Sequence, residues 1–228
     1  MGNASKSPPP MIIFVLGPPG AGKGTLCTSA AATKGIFPDG LCCRHLSVGD
    51  YLRHICKSES PCDRQIFDIS KIRVHLEKYK LLPADVLIPV IEDWISRVWN
   101  NKSLPLLIDG FPRNLQQAVL FEEKIGKPVK VIILQCAHDT ARARFLLRKR
   151  EDGDDEKRFE MRYSEYLETM KAICERYKGI VESKQIEKSG EETVESGNTD
   201  IERQNDIVSQ QIRSVMVTKQ ATRPNTFS

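Results

Sequence analysis

Between Gly17 and Thr25 the chain reads Gly-Pro-Pro-Gly-Ala-Gly-Lys-Gly-Thr, directly after the unbroken apolar run Met11 to Leu16 and directly before a helical pattern. That is the setting in which a loop can wrap its backbone N–H groups around phosphate oxygens. Gly20, Gly22 and Gly24 let the backbone approach an anion, with Ala21 and Thr25 completing the turn into the helix. The start of that helix adds a positive dipole end, and Lys23 adds a mobile cation for the terminal phosphates. The general form of such a loop has Ser or Thr straight after the lysine; here Gly24 intervenes and Thr25 comes next. Asp109 ends a second apolar run, Leu104 to Ile108. At the C-terminal edge of a parallel sheet its carboxylate can face a nucleotide crevice and hold Mg²⁺, directly or through water; a cap for the next loop or helix is the alternative. Arg53 and Arg113 carry planar five-donor groups suited to gripping phosphate with two parallel hydrogen bonds.

The glycine-loop variant, together with His45-Leu46-Ser47-Val48-Gly49-Asp50-Tyr51-Leu52-Arg53 and Ile108-Asp109-Gly110-Phe111-Pro112-Arg113-Asn114, resembles the nucleoside monophosphate kinase family, which includes adenylate kinases and UMP-CMP kinases. The likeness runs from about Met11 to Val217. It implies a P-loop NTPase core of α/β class: a doubly wound, five-stranded parallel sheet flanked by helices, with an acceptor-binding helical insertion over about 47–82 and a short lid over about 148–160. It also implies reversible transfer of the γ-phosphoryl group of ATP to a nucleoside monophosphate, with Mg²⁺ accompanying ATP near Asp109. Residues 20–25, Arg148 and the backbone of Gly197 would then hold ATP. Val48, Arg53, Leu82, Gly110, Arg113, Gln117 and Arg162 would hold the acceptor, and Lys23, Arg113, Arg148 and Arg162 would carry the chemistry.

The chain departs from that pattern in two places. The Ser-Gly-Arg of the usual short lid is missing, leaving Arg150 and Arg158 as alternatives for its arginine, and Val48 stands where adenylate kinases usually have Thr. Gln117, four residues after Arg113, matches a glutamine implied to read adenine, whereas Asn114 is the pyrimidine-kinase type of residue. AMP is the favoured acceptor, with CMP or UMP as the alternative. A nucleotide-binding protein without catalysis and a GTPase-like switch are the competing classes. Retention of Lys23, Arg53, Arg113 and Arg162 speaks against the first, and the absence of an Asn-Lys-x-Asp signature against the second. None of His45, His54, His75 and His138 is given a catalytic role, since phosphoryl transfer of this kind rests on positioning and electrostatics.

These groups need elements to position them. Strand-like runs at Met11 to Leu16, near Leu46, at Leu104 to Ile108 and at Val129 to Leu134 alternate with helical patterns, as in a doubly wound sheet. Helices are predicted at about 22–33, 49–57 and 61–79, the last capped by Ser60 and striped by Ile66, Ile69, Ile72, Leu76 and Tyr79. A further helix after Pro83 should bend at Pro89, with Trp94 and Trp99 as packing residues. From Arg148 to Arg162, twelve of fifteen residues are charged, six of each sign, the signature of a surface segment that cannot be core. A long amphipathic helix follows from Phe159 to Tyr177, then a polar turn at Gly190, a weak strand near Thr193 to Ser196 and a last helix to about Val217.

The 228 residues suit one compact domain, preceded by a loose leader over 1–10 and followed by a loose tail over 218–228. Thirty-four basic and 30 acidic side chains leave a net charge of +4, too slight to make nucleic acid or an anionic membrane the main partner. No apolar run is long enough to span a bilayer, and the first ten residues lack the apolar stretch of a secretory signal, so a cytoplasmic location is expected. Gly2 opens a weak match to an acylation motif that wants Ser or Thr where Lys6 stands. The seven cysteines form no CxxC pair, so scattered thiols are expected rather than disulfides or zinc. An enzyme that encloses its substrates in this way is expected to act as a monomer.

Overall fold

In the computed structural model the described residues are 10–33, 43–58, 66–99, 104–148 and 154–185. The expected Gly197, Arg150, N-terminal leader, last helix and C-terminal tail lie outside them. Five parallel strands form one sheet in the order β2-β3-β1-β4-β5: β1 Met11–Leu16, β2 Arg44–Ser47, β3 Pro105–Asp109, β4 Lys130–Gln135 and β5 Val181–Gln185. The chain winds to one side of β1 for β2 and β3, and to the other for β4 and β5. The crevice at the C-terminal ends of the strands therefore opens beside β1, where the glycine loop begins.

The unbroken apolar character of β1 and β3 follows from their central place, because both are buried along their whole length. Phe14 of β1 stands at the centre of the larger core. Its ring lies edge-on to Phe111, Phe121 and Tyr177 at centroid distances of 5.4, 5.1 and 5.8 Å, arrangements that add to plain burial. Trp94 and Trp99 pack against the same core, as expected.

Helix α1 (Lys23–Ala32) leaves the glycine loop, and α2 (Val48–Lys57) leaves β2. Then come α3 (Ile69–Glu77), α4 (Ala84–Val98), α5 (Leu115–Lys124), α6 (His138–Leu147) and α7 (Glu156–Arg176). Helix α4 runs through Pro89 as one element. The far end of α7 is pinned to α5 by Arg176, whose Nε and Nη2 donate to the Glu122 carboxylate at 2.8 and 2.9 Å.

Three expectations need correction. The fifth strand is Val181–Gln185, not a segment near Thr193 to Ser196, which lies outside the described residues. An edge strand needs little apolar content: after Ile180 and Val181 the sequence is polar, and Glu182 instead pairs with Lys130 of β4 at 2.6 Å. The helix predicted over 61–79 is interrupted at Phe67 and Asp68, and α3 starts at Ile69, where the Asp68 carboxylate accepts from the Lys71 N–H at 2.9 Å, while Ile66 faces solvent; Ser60 lies outside the described residues. Asp68 serves as the N-cap of α3 because its carboxylate satisfies a first-turn N–H. Finally, the charged segment is not all surface, for Arg158 is only 6% exposed and the Asp154 side chain only 3%. Charge density says where a segment must be solvated on average, but each of these two groups meets a specific partner.

Candidate active site

The loop after β1 is shaped by how closely it approaches α6. A Cβ on Gly20 would lie 1.9 Å from the Ala141 carbonyl oxygen, and its φ of +81° is one that L side chains rarely adopt. Only glycine fits. Lys23 opens α1 and folds back over the loop, its Nζ donating to the Gly17 and Pro18 carbonyls at 3.0 and 2.8 Å. Desolvation pushes the Lys23 pKa down to about 8, Asp109 opposes the fall, and Arg162, Arg113 and Arg148 add to it. Three arginines from three separate parts of the chain thus act on one lysine.

Each is held by its own element. Arg113 follows β3 and donates through Nε to the Gly110 carbonyl at 3.2 Å. Its pKa is lowered by burial, while Glu165 and Asp109 support its charge and Arg53 opposes it. Arg53 lies on α2, paired with Asp50, which also accepts from the Ser47 hydroxyl at 2.6 Å. Arg148 closes α6 over the Phe145 ring and grips Asp154 with both Nε and Nη2 at 2.8 Å. Arg162, on α7, lies near the same ring.

A cleft of about 520 Å³, counting space open to solvent, is lined by Lys23, Gly110, Arg113, Arg162, Glu165 and Tyr166, whereas Arg53 and Arg148 are not among its lining residues. Glu165, Tyr166, Thr169 and Met170 were not anticipated there. They follow Arg162 at the i+3, i+4, i+7 and i+8 positions of one helix, so the spacing that placed α7 also contained its cleft-facing stripe. Burial raises the Glu165 pKa, opposed by Arg113 and Arg162.

Gln117 is 1% exposed, and both ends of its amide are in use. The oxygen accepts from the Arg113 N–H at 2.9 Å and the nitrogen donates to the Leu82 carbonyl at 3.0 Å. It therefore ties the end of the insertion to the arginine loop and keeps one N–H and one oxygen lone pair beyond those bonds. Asn114 caps α5, accepting from the Gln117 N–H at 2.9 Å, a structural duty that accounts for it without reference to a base. Val48 and Leu82 are both buried.

Asp109 ends β3 beside both β1 and β2, opposite Val15 and Ser47. Its Oδ2 lies 3.8 Å from Nε2 of His45, a buried nitrogen with no hydrogen-bond partner, and 3.5 Å from where a Cβ on Gly24 would stand. A carboxylate at the mouth of the loop, near the exposed Thr25, suits a hard cation that keeps most of its water. Among the described residues no group of three His, Cys, Asp or Glu side chains forms a cage. Mg²⁺ would thus be held here by Asp109, water and substrate phosphates. Among the described residues Cys27, Cys56, Cys136 and Cys174 are free thiols. No helix among the described residues is long and apolar enough to cross a membrane.

This loop, the Asp109 strand end and the arginines around them match the family model described as adenylate kinase over residues 15–182. The chain belongs to the adenylate kinase family. It is 32% identical over 176 residues to adenylate kinase isoenzyme 1 of Homo sapiens, covering 75% of this chain and 83% of that relative. The same isoenzyme of Sus scrofa matches at 32% over the same shares. Adenylate kinase isoenzyme 5 of Mus musculus is 35% identical over 147 residues, 63% of this chain but 24% of that longer relative. The five-stranded parallel sheet is the one expected for an adenylate kinase.

Proposed function

We propose that the protein catalyses ATP + AMP = 2 ADP. The observation that carries this reading is the cleft shared by Lys23, Arg113 and Arg162 beside the glycine loop, with Arg148 also within electrostatic reach of Lys23. Two phosphorylated substrates, each phosphate bearing about −1.5 to −2 charges, repel one another, and four cations brought to one place fit that requirement. An oxygen of the AMP phosphate attacks the γ-phosphorus, the bond from γ-phosphorus to the β-bridging oxygen breaks, and ADP leaves with the electron pair. Lys23 and Arg148 would hold the donor phosphates, Arg53 and Arg113 the acceptor phosphate, and Arg162 the group in flight; no side chain need take a proton. Mg²⁺, when bound with ATP, supplies further charge neutralisation between the phosphates.

For the acceptor base, Gln117 supports adenine through the one N–H and one lone pair it keeps, enough for one base edge. Val48 in place of the usual Thr favours some use of CMP or UMP. We further propose a monomer acting in the cytoplasm, since one chain supplies every cation of the site. The test is the initial rate of ADP formation from Mg·ATP with AMP, CMP, UMP, GMP or dAMP in parallel. AMP is expected to be fastest. Faster turnover with a pyrimidine nucleotide would reassign the acceptor, turnover with none would indicate an ATPase, and no turnover at all would leave only a nucleotide-binding protein.

A further inference from the structure

Arg158 occupies the first turn of α7, where its N–H donates to the capping Asp155 carboxylate at 2.8 Å. Its side chain is buried, yet Nε and Nη2 have no hydrogen-bond partner. Leaving charged donors unpaired away from water is costly. What the guanidinium meets instead is the ring of Tyr79, whose centroid lies 3.6 Å from Cζ. Tyr79 is itself unusual: it is the one non-glycine residue of positive φ among the described residues, at +55°, just past α3. A bulky residue in that conformation is uncommon and carries a local cost. Two local costs, at residues 79 positions apart in sequence, coincide in one contact.

Neither residue lines the cleft, but each sits close in sequence to a residue tied to it. Tyr79 lies three residues before Leu82, whose carbonyl anchors the acceptor side through Gln117, which in turn holds the Arg113 loop. Arg158 lies one turn of helix before Arg162, which lines the cleft together with Arg113. Arg158 is buried while Tyr79 keeps 43% of its surface exposed, so the ring covers the guanidinium from the solvent side, and a cation held over a ring face is attracted to it.

We infer that Arg158 and Tyr79 form a clasp beside the cleft, and that Arg158 is a positioning residue which holds α7 against the acceptor-binding insertion. The clasp sets acceptor affinity by keeping Arg162 and the Leu82–Gln117–Arg113 chain in register before the acceptor arrives. This rests on the proposed phosphoryl transfer to AMP.

The test uses the full chain with Arg158→Gln, Tyr79→Leu, the double variant, Tyr79→Phe and Tyr79→Gly, each measured for kcat, both KM values and melting temperature. Arg158→Gln and Tyr79→Leu should each raise the KM for AMP by about three- to tenfold, and the double variant should be no worse than the poorer single one. Tyr79→Phe keeps the ring and should stay within about twofold of the parent. Tyr79→Gly removes the ring but relieves the backbone, so it should raise the AMP KM with no loss of melting temperature. An unchanged AMP KM in Arg158→Gln, or effects that add in the double variant, would overturn the clasp. So would Tyr79→Gly losing stability while keeping its AMP KM. Failure of the parent protein to make ADP from AMP would instead sink the underlying activity.

Discussion

Arg148 and Asp154 face each other in a two-pronged ion pair, both N···O distances being 2.8 Å, with the carboxylate almost wholly shielded from water. The pair uses Nε and Nη2, so a donor phosphate must be met by the remaining side of the fork or must displace Asp154. The short connection from residue 148 to 154 makes the first the economical arrangement, since Asp154 then aims the arginine in advance. Asp154→Asn should raise the KM for ATP by about threefold to tenfold, the scale of one charge-assisted hydrogen bond, and leave the KM for AMP unchanged. A lower ATP KM would show the carboxylate competing with phosphate.

Lys23 titrates at about 8 rather than 10.5, mainly because it is desolvated and secondarily because three arginines repel its charge. The unfolded chain keeps this proton up to the higher value while the folded protein loses it at the lower one. Stability therefore rises with pH between about 8 and 10.5, and the penalty is constant below 8. Comparing urea unfolding of the parent and Lys23→Met across that range should show the parent gaining relative to the variant, with no divergence below pH 7. A bound triphosphate restores the proton, so calorimetry at pH 8 in buffers of differing ionisation heat should register uptake of about half a proton, absent in Lys23→Met.

The guanidinium of Arg113 donates through Nε to Gly110, while its backbone N–H donates to Gln117 and holds the loop independently of the side chain. Arg113→Ala should therefore fold and lose kcat by roughly two to three powers of ten, as for other single electrostatic donors. Full turnover in a coupled ADP assay would remove Arg113 from the site.

Gly20 and Gly22 share a φ of +81° but differ in surroundings: a Cβ on Gly22 meets nothing within 4 Å, whereas one on Gly20 runs into the Ala141 backbone. Gly22→Ala should cost about 1 kcal/mol from conformation alone. Gly20→Ala must push the loop away from α6 and should cost several times as much, read by thermal melting, and abolish ADP formation.

Local sequence determined the glycine loop, the buried strands β1, β3 and β4, the alternation of strands with helices and the family to which the chain belongs. The physical reason is that each is written in contiguous residues: an apolar run, a glycine pattern or a helical period reads the same wherever the segment ends up. Edge strand β5 was illegible because its stability comes from pairing with β4 and from the Lys130–Glu182 ion pair, not from its own composition. The burial of Arg158 follows from Tyr79, just past α3, arriving above it, and the ties of Gln117 to Leu82 and Arg113 come in addition to the base contact the sequence suggests. Such roles depend on which remote group arrives within a few ångströms, and only the packed chain decides that.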